Sequence, residues 1–126
     1  MTESWILNDY DAALEQFTAA MAFPAEQDLV KAGCIQYFEF SFELAWKAIK
    51  LLSAQLGLEE CLSPKACLRQ AFAQGWLTEE VVWLNMLEAR NGMSHTYDAR
   101  KALELYDALP AFLVAMKALR DQLRQL

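Results

Sequence analysis

The longest helical pattern in the chain covers residues 26–56, a length of roughly 45 Å at a rise of 1.5 Å per residue. Two apolar stripes run along this segment. One consists of Ile35, Phe38, Phe42, Trp46, Ile49 and Leu56, and the other of Val30, Cys34, Tyr37, Leu44, Ala48 and Leu51. Two stripes on one helix predict either a central position in a bundle or a face half-covered by a second subunit.

Caps and breakers divide the rest of the chain into shorter helices. In chain order they are Asn8 or Asp9 (cap), Pro24, Gly57, Ser63 with Pro64, Gly75, Thr78 (cap) and Asp98 (cap). The fourth helix is predicted to end near Asn91, and Pro110 is predicted to kink or divide the last one. The chain shows no alternating strand pattern and no linker, so we expect one all-α domain over residues 1–126, long enough to build its own core.

Charge limits the partners that a chain of this composition attracts. The net charge is −6 and the pI about 4.7, so bulk electrostatics repels nucleic acid at long range. The charge is uneven, because residues 1–63 hold 3 basic and 10 acidic side chains while residues 64–126 hold 8 basic and 7 acidic ones. We therefore expect an anionic ligand to meet the second half of the chain.

The cysteines and the N-terminus indicate a cellular compartment. Cys34, Cys61 and Cys67 form no C-x-x-C motif and no disulfide framework, and a single histidine cannot complete a zinc site with them. We expect buried or half-buried thiols in a reducing cytoplasm, with no metal and no cofactor. The sequence shows neither a signal-peptide pattern nor an apolar run of about 18 residues, so we expect a cytoplasmic protein without a membrane span.

The polar positions of the second helix share one face. Glu39, Glu43, Lys47 and Lys50 are spaced by four, four and three residues, which aligns them along the helix. One interpretation is an ordinary solvated stripe. The other is the acidic-then-basic wall of a ligand-binding groove formed by Glu39, Glu43 and Lys47. The residues alone leave both open.

Reactive side chains concentrate in residues 88–98, at the end of the fourth helix and in the following loop. Here lies the sole histidine, His95, with Arg90 five residues before it and Tyr97 two after it. Loops at helix ends present side chains without disturbing a helical core. Gly92 would loosen the helix so that Arg90 and His95 could face one cleft. A lone histidine in a loop is nevertheless more often a hydrogen-bonding residue than a catalyst.

Two motifs carry a family resemblance. Arg90, Asn91, His95 and Tyr97 stand as R-N-x-x-x-H-x-Y, which resembles the signature of HEPN domains that pair with minimal nucleotidyltransferases. Residues 36–47 read QYFEFSFELAWK and resemble the Q-x-F-E-F-x-F-E-L-A-W-K core of the nucleotidyltransferase substrate-binding protein family. Residues 63–64, 71–75 and 83–88 also match, so the resemblance covers nearly the whole chain. Gly92 departs from it, at a position where a bulkier apolar residue is usual.

The resemblance implies an up-and-down bundle of four to five helices that forms a two-fold dimer and acts with a separately encoded minimal nucleotidyltransferase. It implies a metal-independent ribonuclease, the toxin of a toxin–antitoxin pair, whose motifs meet across the dimer. His95 would transfer protons, Arg90 would hold the scissile phosphate of an RNA, and Asn91 would orient the site. Tyr97 would be the hydroxyl that the partner adenylylates to silence the enzyme.

A second interpretation is a binding module. The chain would be a non-catalytic subunit that presents a small polar substrate to a nucleotidyltransferase, held by Glu39, Glu43 and Lys47. The aromatic-rich second helix favours this alternative. The net charge of −6 stands against the ribonuclease, because RNA binding would depend on a few cations such as Arg90, Arg100, Lys101 and Lys47. Toxicity that is lost in a His95→Ala variant would separate the two.

Overall fold

Five α-helices make up most of the computed structural model, which describes residues 4–24, 26–93 and 99–126. They are α1 (Ser4–Met21), α2 (Asp28–Gln55), α3 (Pro64–Ala73), α4 (Glu80–Gly92) and α5 (Ala99–Arg124). These residues include no strand, and the prediction of an all-α bundle is confirmed. None of the helices in the described ranges combines the length and the hydropathy needed to cross a bilayer.

The long helix α2 lies at the centre of the bundle, where it packs against α1, α3 and α5. Four members of its first apolar stripe are buried: Ile35, Phe38, Phe42 and Ile49. Phe38 meets Phe112 of α5 at 5.3 Å between ring centroids, and Phe42 meets Trp83 of α4 at 6.4 Å. The two stripes predicted that this helix is either central in the bundle or half-covered by a second subunit. The central position is confirmed.

Local sequence signals end or begin two of the helices as predicted. The hydroxyl of Ser63 accepts a hydrogen bond from the backbone N–H of Ala66 at 3.1 Å, and Pro64 is the first residue of α3. Gly57 and Gly75 follow α2 and α3 with φ of 75° and 77°. This left-handed conformation favours glycine, since other residues pay a steric cost there.

Two predicted helix boundaries are wrong. α1 begins at Ser4, so Asn8 and Asp9 lie inside it, because burial of Ile6 and Leu7 extends its apolar face towards the N-terminus. Thr78 does not cap α4, which begins at Glu80 after Glu79.

Pro110 does not divide α5, since Ala99–Arg124 is one helix. The proline itself is exposed, while the neighbouring Leu109 and Phe112 are buried and hold both halves of the helix against the core. Asp98, the predicted cap of this helix, lies outside the described residues.

The expectation that all three cysteines are thiols is wrong for two of them. Cys61 and Cys67 form a disulfide, with their Cα atoms 5.1 Å apart. The chain bends at Ser63 where it enters α3, and the sulfurs of these two cysteines, six residues apart in sequence, meet across the start of that helix. Cys34 is a buried free thiol, and burial raises its pKa.

Polar contacts fasten the first helix to the last. The hydroxyl of Tyr10 is fully buried and donates a hydrogen bond to the carbonyl oxygen of Met116 at 2.7 Å. Burial raises the pKa of Tyr10 well above its ordinary value, so the phenol remains a donor. Next to it, the carboxylate of Asp11 lies 3.1 Å from Arg120 and 2.7 Å from Arg124. α1 and α5 are therefore joined by a hydrogen bond and by ion pairs as well as by apolar packing.

Candidate functional site

The packing of α4 directs Arg90 towards α2. Trp83, Met86 and Leu87 are the buried residues of α4. Arg90 follows them at positions i+7, i+4 and i+3, so it continues the same face into the last turn of the helix. Its side chain is half-buried, with 35% of its surface exposed. An arginine at the edge of a buried stripe keeps its stem in apolar contact while its charged group reaches the surface.

The guanidinium of Arg90 is held by Glu43, a residue of α2 that lies 47 positions earlier in the chain. Oε1 of Glu43 accepts a hydrogen bond from Nε of Arg90 at 2.9 Å and lies 2.8 Å from Nη2. The other carboxylate oxygen, Oε2, accepts a hydrogen bond from the indole N–H of Trp46 at 3.0 Å. Glu43 is thus fixed from both sides, by its own helix and by α4.

Asn91 completes this cluster from the neighbouring position on α4. Its side-chain oxygen accepts a hydrogen bond from Nη1 of Arg90 at 3.1 Å. The structure therefore joins two sets of residues that the sequence suggested for different purposes. Arg90 and Asn91 come from the predicted catalytic motif, and Glu43 comes from the predicted groove.

The other two groove candidates differ from Glu43 in their surroundings. Glu39 lies one turn earlier on α2 and is half-buried, and its pKa is raised first by burial and then by the negative charge of Glu43. Lys47 lies one turn later and is exposed. Both oxygens of Glu43 already accept hydrogen bonds, so a small polar ligand of this face would contact Glu39 and Lys47 more readily than Glu43. Their ligand-binding role stays a prediction.

Two residues of the predicted catalytic motif, His95 and Tyr97, lie outside the described residues. Their proximity to Arg90 therefore stays a prediction from the sequence. What the structure does show is the arginine end of the motif, fixed in place at the end of α4.

A groove of about 680 Å³ runs between α4 and α5. It is lined on one side by Asn85, Glu88, Ala89 and Gly92, and on the other by residues that include Lys101 and Leu105. Ala89 and Gly92 flank Arg90 and Asn91 in sequence, so the groove adjoins the arginine end of the motif. Sequence reasoning missed this groove, because nothing in the periodicity of either helix shows how far apart the two lie. Within the ranges that the structure describes, no cluster of three metal-ligating side chains occurs.

Comparisons of the sequence with known proteins find related chains. A family model described as nucleotidyltransferase substrate binding protein like matches residues 6–125. A protein of Haemophilus influenzae named "Probable ribonuclease HepT" is 34% identical over an alignment of 140 positions, which covers 99% of this chain and 96% of that protein.

Comparisons of the structure find chains of the same fold. A crystal structure of a protein from Thermus thermophilus has a TM-score of 0.82 at 30% identity, over 91% of this chain and 98% of that one. The structure of HI0074 from Haemophilus influenzae has a TM-score of 0.80 at 31% identity, over 94% of this chain and 98% of that one. The latter is described as revealing the fold of a substrate binding domain of a nucleotidyltransferase.

Proposed function

The chain belongs to the family described as nucleotidyltransferase substrate binding protein like, and from this premise we propose that it is a metal-independent HEPN ribonuclease. It would act as the toxin of a pair whose other member is a separately encoded minimal nucleotidyltransferase. The observation that carries this proposal is the fixed guanidinium of Arg90, which Glu43 and Asn91 hold at the start of the R-N-x-x-x-H-x-Y motif. A relative named as a probable ribonuclease supports it.

The chemistry follows from the residue types of the motif. Arginine is always charged and presents forked donors, so Arg90 suits the scissile phosphate and the charge that develops on it. Imidazole titrates near neutral pH, so His95 suits removal of a proton from a ribose 2′-hydroxyl or protonation of the leaving oxygen. Neither step uses a metal ion. Asn91 would keep Nη1 of Arg90 in place through the hydrogen bond described above.

The proposal includes a two-fold dimer, in which the histidines of two chains would together supply an acid–base pair. Exposed apolar side chains on α2 and α4 support it, since Phe40, Val81 and Leu84 are 51%, 70% and 43% exposed. We expect light scattering at micromolar concentration to give the mass of a dimer or of a larger assembly, with about 1,600 Å² buried at each interface. A monomer mass would contradict both the interface and the shared active site.

Adenylylation of Tyr97 tests the proposed pairing with a nucleotidyltransferase. The purified protein is incubated with its cognate nucleotidyltransferase, ATP and Mg²⁺, and is then mixed with RNA. We expect intact mass spectrometry to show an increase of about 329 Da for each AMP, and tandem spectrometry to place it on Tyr97. RNA cleavage should stop, because AMP adds bulk and negative charge close to the residue that binds phosphate.

A matched variant separates the modification from the chemistry. Tyr97→Phe should cleave RNA at the wild-type rate and should resist silencing by the partner. Modification of Tyr10, Tyr37 or Tyr106 in place of Tyr97 would contradict this regulation, as would the absence of any adduct with an active partner. Tyr10 is an internal reference for a tyrosine that should stay unmodified, because its hydroxyl is buried and donates a hydrogen bond to the carbonyl oxygen of Met116.

The alternative function is a non-catalytic subunit that presents a substrate to a nucleotidyltransferase. The description of HI0074 as having the fold of such a substrate binding domain favours it. In this case Glu39 and Lys47 would contact the ligand. Expression in a host cell discriminates between the two functions, since a binding subunit has no reason to be toxic and no toxicity for His95→Ala to remove.

A further inference from the structure

We propose that Glu43 is a positioning residue for RNA cleavage, which orients the guanidinium of Arg90 for the scissile phosphate. This inference rests on the proposed function and assigns Glu43 a role other than the ligand contact that its helix face suggested. The carboxylate would never touch the RNA. It would act only through the arginine that it holds.

The geometry at Arg90 uses one edge of the guanidinium and leaves another available. Oε1 of Glu43 occupies the edge formed by Nε and Nη2, and Asn91 accepts from Nη1. A guanidinium has five N–H groups, so one hydrogen on each of the two terminal nitrogens is used by neither Glu43 nor Asn91. These two hydrogens remain available as donors to the oxygens of a phosphate.

Trp46 holds the carboxylate of Glu43 in place, and that carboxylate in turn holds the guanidinium of Arg90. Its indole N–H donates to Oε2 at 3.0 Å from three residues further along α2, so Glu43 is held by the rigid central helix of the bundle. An arginine has four rotatable side-chain bonds, and one that is tethered only by its own backbone samples many orientations. A tether at Nε and Nη2 removes that freedom before the substrate arrives, and a displacement of about 1 Å at a reacting group can cost about 10²-fold in rate.

The negative charge of Glu43 should weaken the binding of RNA, although the carboxylate aids catalysis by orienting Arg90. It lies 2.8 Å from the guanidinium and offsets part of the attraction between Arg90 and an RNA phosphate. Removing the charge should therefore strengthen or preserve RNA binding while it weakens catalysis. A residue that contacts the substrate, or one that merely supports the fold, would not produce this separation of kcat from KM.

Three variants of the full-length chain test the inference. Glu43→Gln keeps the size of the side chain and removes its charge. Trp46→Phe removes the indole N–H and retains an aromatic ring. Asp11→Asn is the matched control, because Asp11 also forms a half-buried pair with arginines, Arg120 and Arg124, but joins α1 to α5.

We expect Glu43→Gln to lower kcat about 10²-fold with KM unchanged or reduced. Trp46→Phe should lower kcat by a smaller factor, and Asp11→Asn should leave both constants at their wild-type values. A rise in KM with kcat retained in Glu43→Gln would overturn the inference, because it would indicate direct contact with the substrate. An equal loss of kcat in all three variants would also overturn the inference, since it would indicate a general effect on the fold.

A spectroscopic measurement makes the inference independent of the ribonuclease activity. The Nε–Hε resonance of Arg90, assigned by its loss in Arg90→Lys, should exchange slowly with solvent in the wild type and rapidly in Glu43→Gln. No change in this resonance would overturn the positioning role while RNA cleavage by the wild type still stood. Conversely, if the wild type cleaves no RNA, the proposed ribonuclease function fails, and with it the role of Glu43 in cleavage, even where the resonance shows the tether.

Discussion

The His95→Ala variant is expected to lose RNA cleavage by about 10²- to 10⁴-fold, the usual contribution of a positioned acid–base group. Arg90→Ala should lose activity to a similar extent, because it removes the donors for the scissile phosphate. Neither change should greatly alter the melting temperature. Arg90 and Glu43 are each about one-third exposed, and ion pairs of that kind contribute about 0–1 kcal/mol to stability.

The measurement is cleavage of a fluorogenic RNA in the presence of EDTA, together with the growth of cells that express each variant. Arg69→Ala is the control for Arg90→Ala, because Arg69 is an exposed arginine of α3. Activity that requires Mg²⁺ or Mn²⁺ would refute the metal-independent mechanism. Unfolding of His95→Ala would show that the histidine is a structural residue, and the substrate-binding function would then be preferred.

The Phe42→Ala variant is expected to lose about 3–5 kcal/mol of unfolding free energy, as large-to-small changes of a fully buried aromatic residue do. Phe42 has no exposed surface and packs against Phe38 of its own helix and Trp83 of α4. The loss would be a large fraction of the total stability of a domain of this size. Trp46→Ala should cost less, because the structure places Trp46 half-buried and not in the centre of the core.

Urea unfolding at one fixed protein concentration measures these differences, since association in a dimer would otherwise contribute to the apparent stability. Leu29→Ala is the control, because Leu29 lies on the same helix with 79% of its surface exposed and should cost within about 0.5 kcal/mol. A cost at Phe42 no greater than that at Leu29 would mean that α2 is not the centre of the core.

Sequence patterns predicted the helices well wherever a local signal decided the structure. The cap at Ser63 and the glycines at 57 and 75 act within one turn of the chain, and all three are confirmed. The start of α1 was missed because burial of Ile6 against the rest of the bundle outweighs the capping preference of Asn8. α5 stays one helix at Pro110 for the same reason, since tertiary packing holds both sides of the proline.

The functional site shows a different limit of sequence reasoning. Periodicity placed Glu43 on the right face of α2, and the motif singled out Arg90, yet the two were assigned to separate sites. Their contact spans 47 residues, and no local pattern shows which helix lies across a given face. The disulfide was missed in a similar way, because the spacing of Cys61 and Cys67 does not show how the chain bends into α3 and brings their sulfurs together.

The fastening of α1 to α5 has a consequence for the order in which the chain can fold during synthesis. Tyr10 leaves the ribosome early, but the carbonyl group that accepts its hydrogen bond lies 106 residues later, and Arg120 follows Asp11 by 109. Burying the Tyr10 hydroxyl before that partner exists would strand an unsatisfied polar group in an apolar environment. The Tyr10 side of α1 can therefore reach its native burial only after α5 has been translated. Until then, its hydroxyl is expected to remain bonded to water.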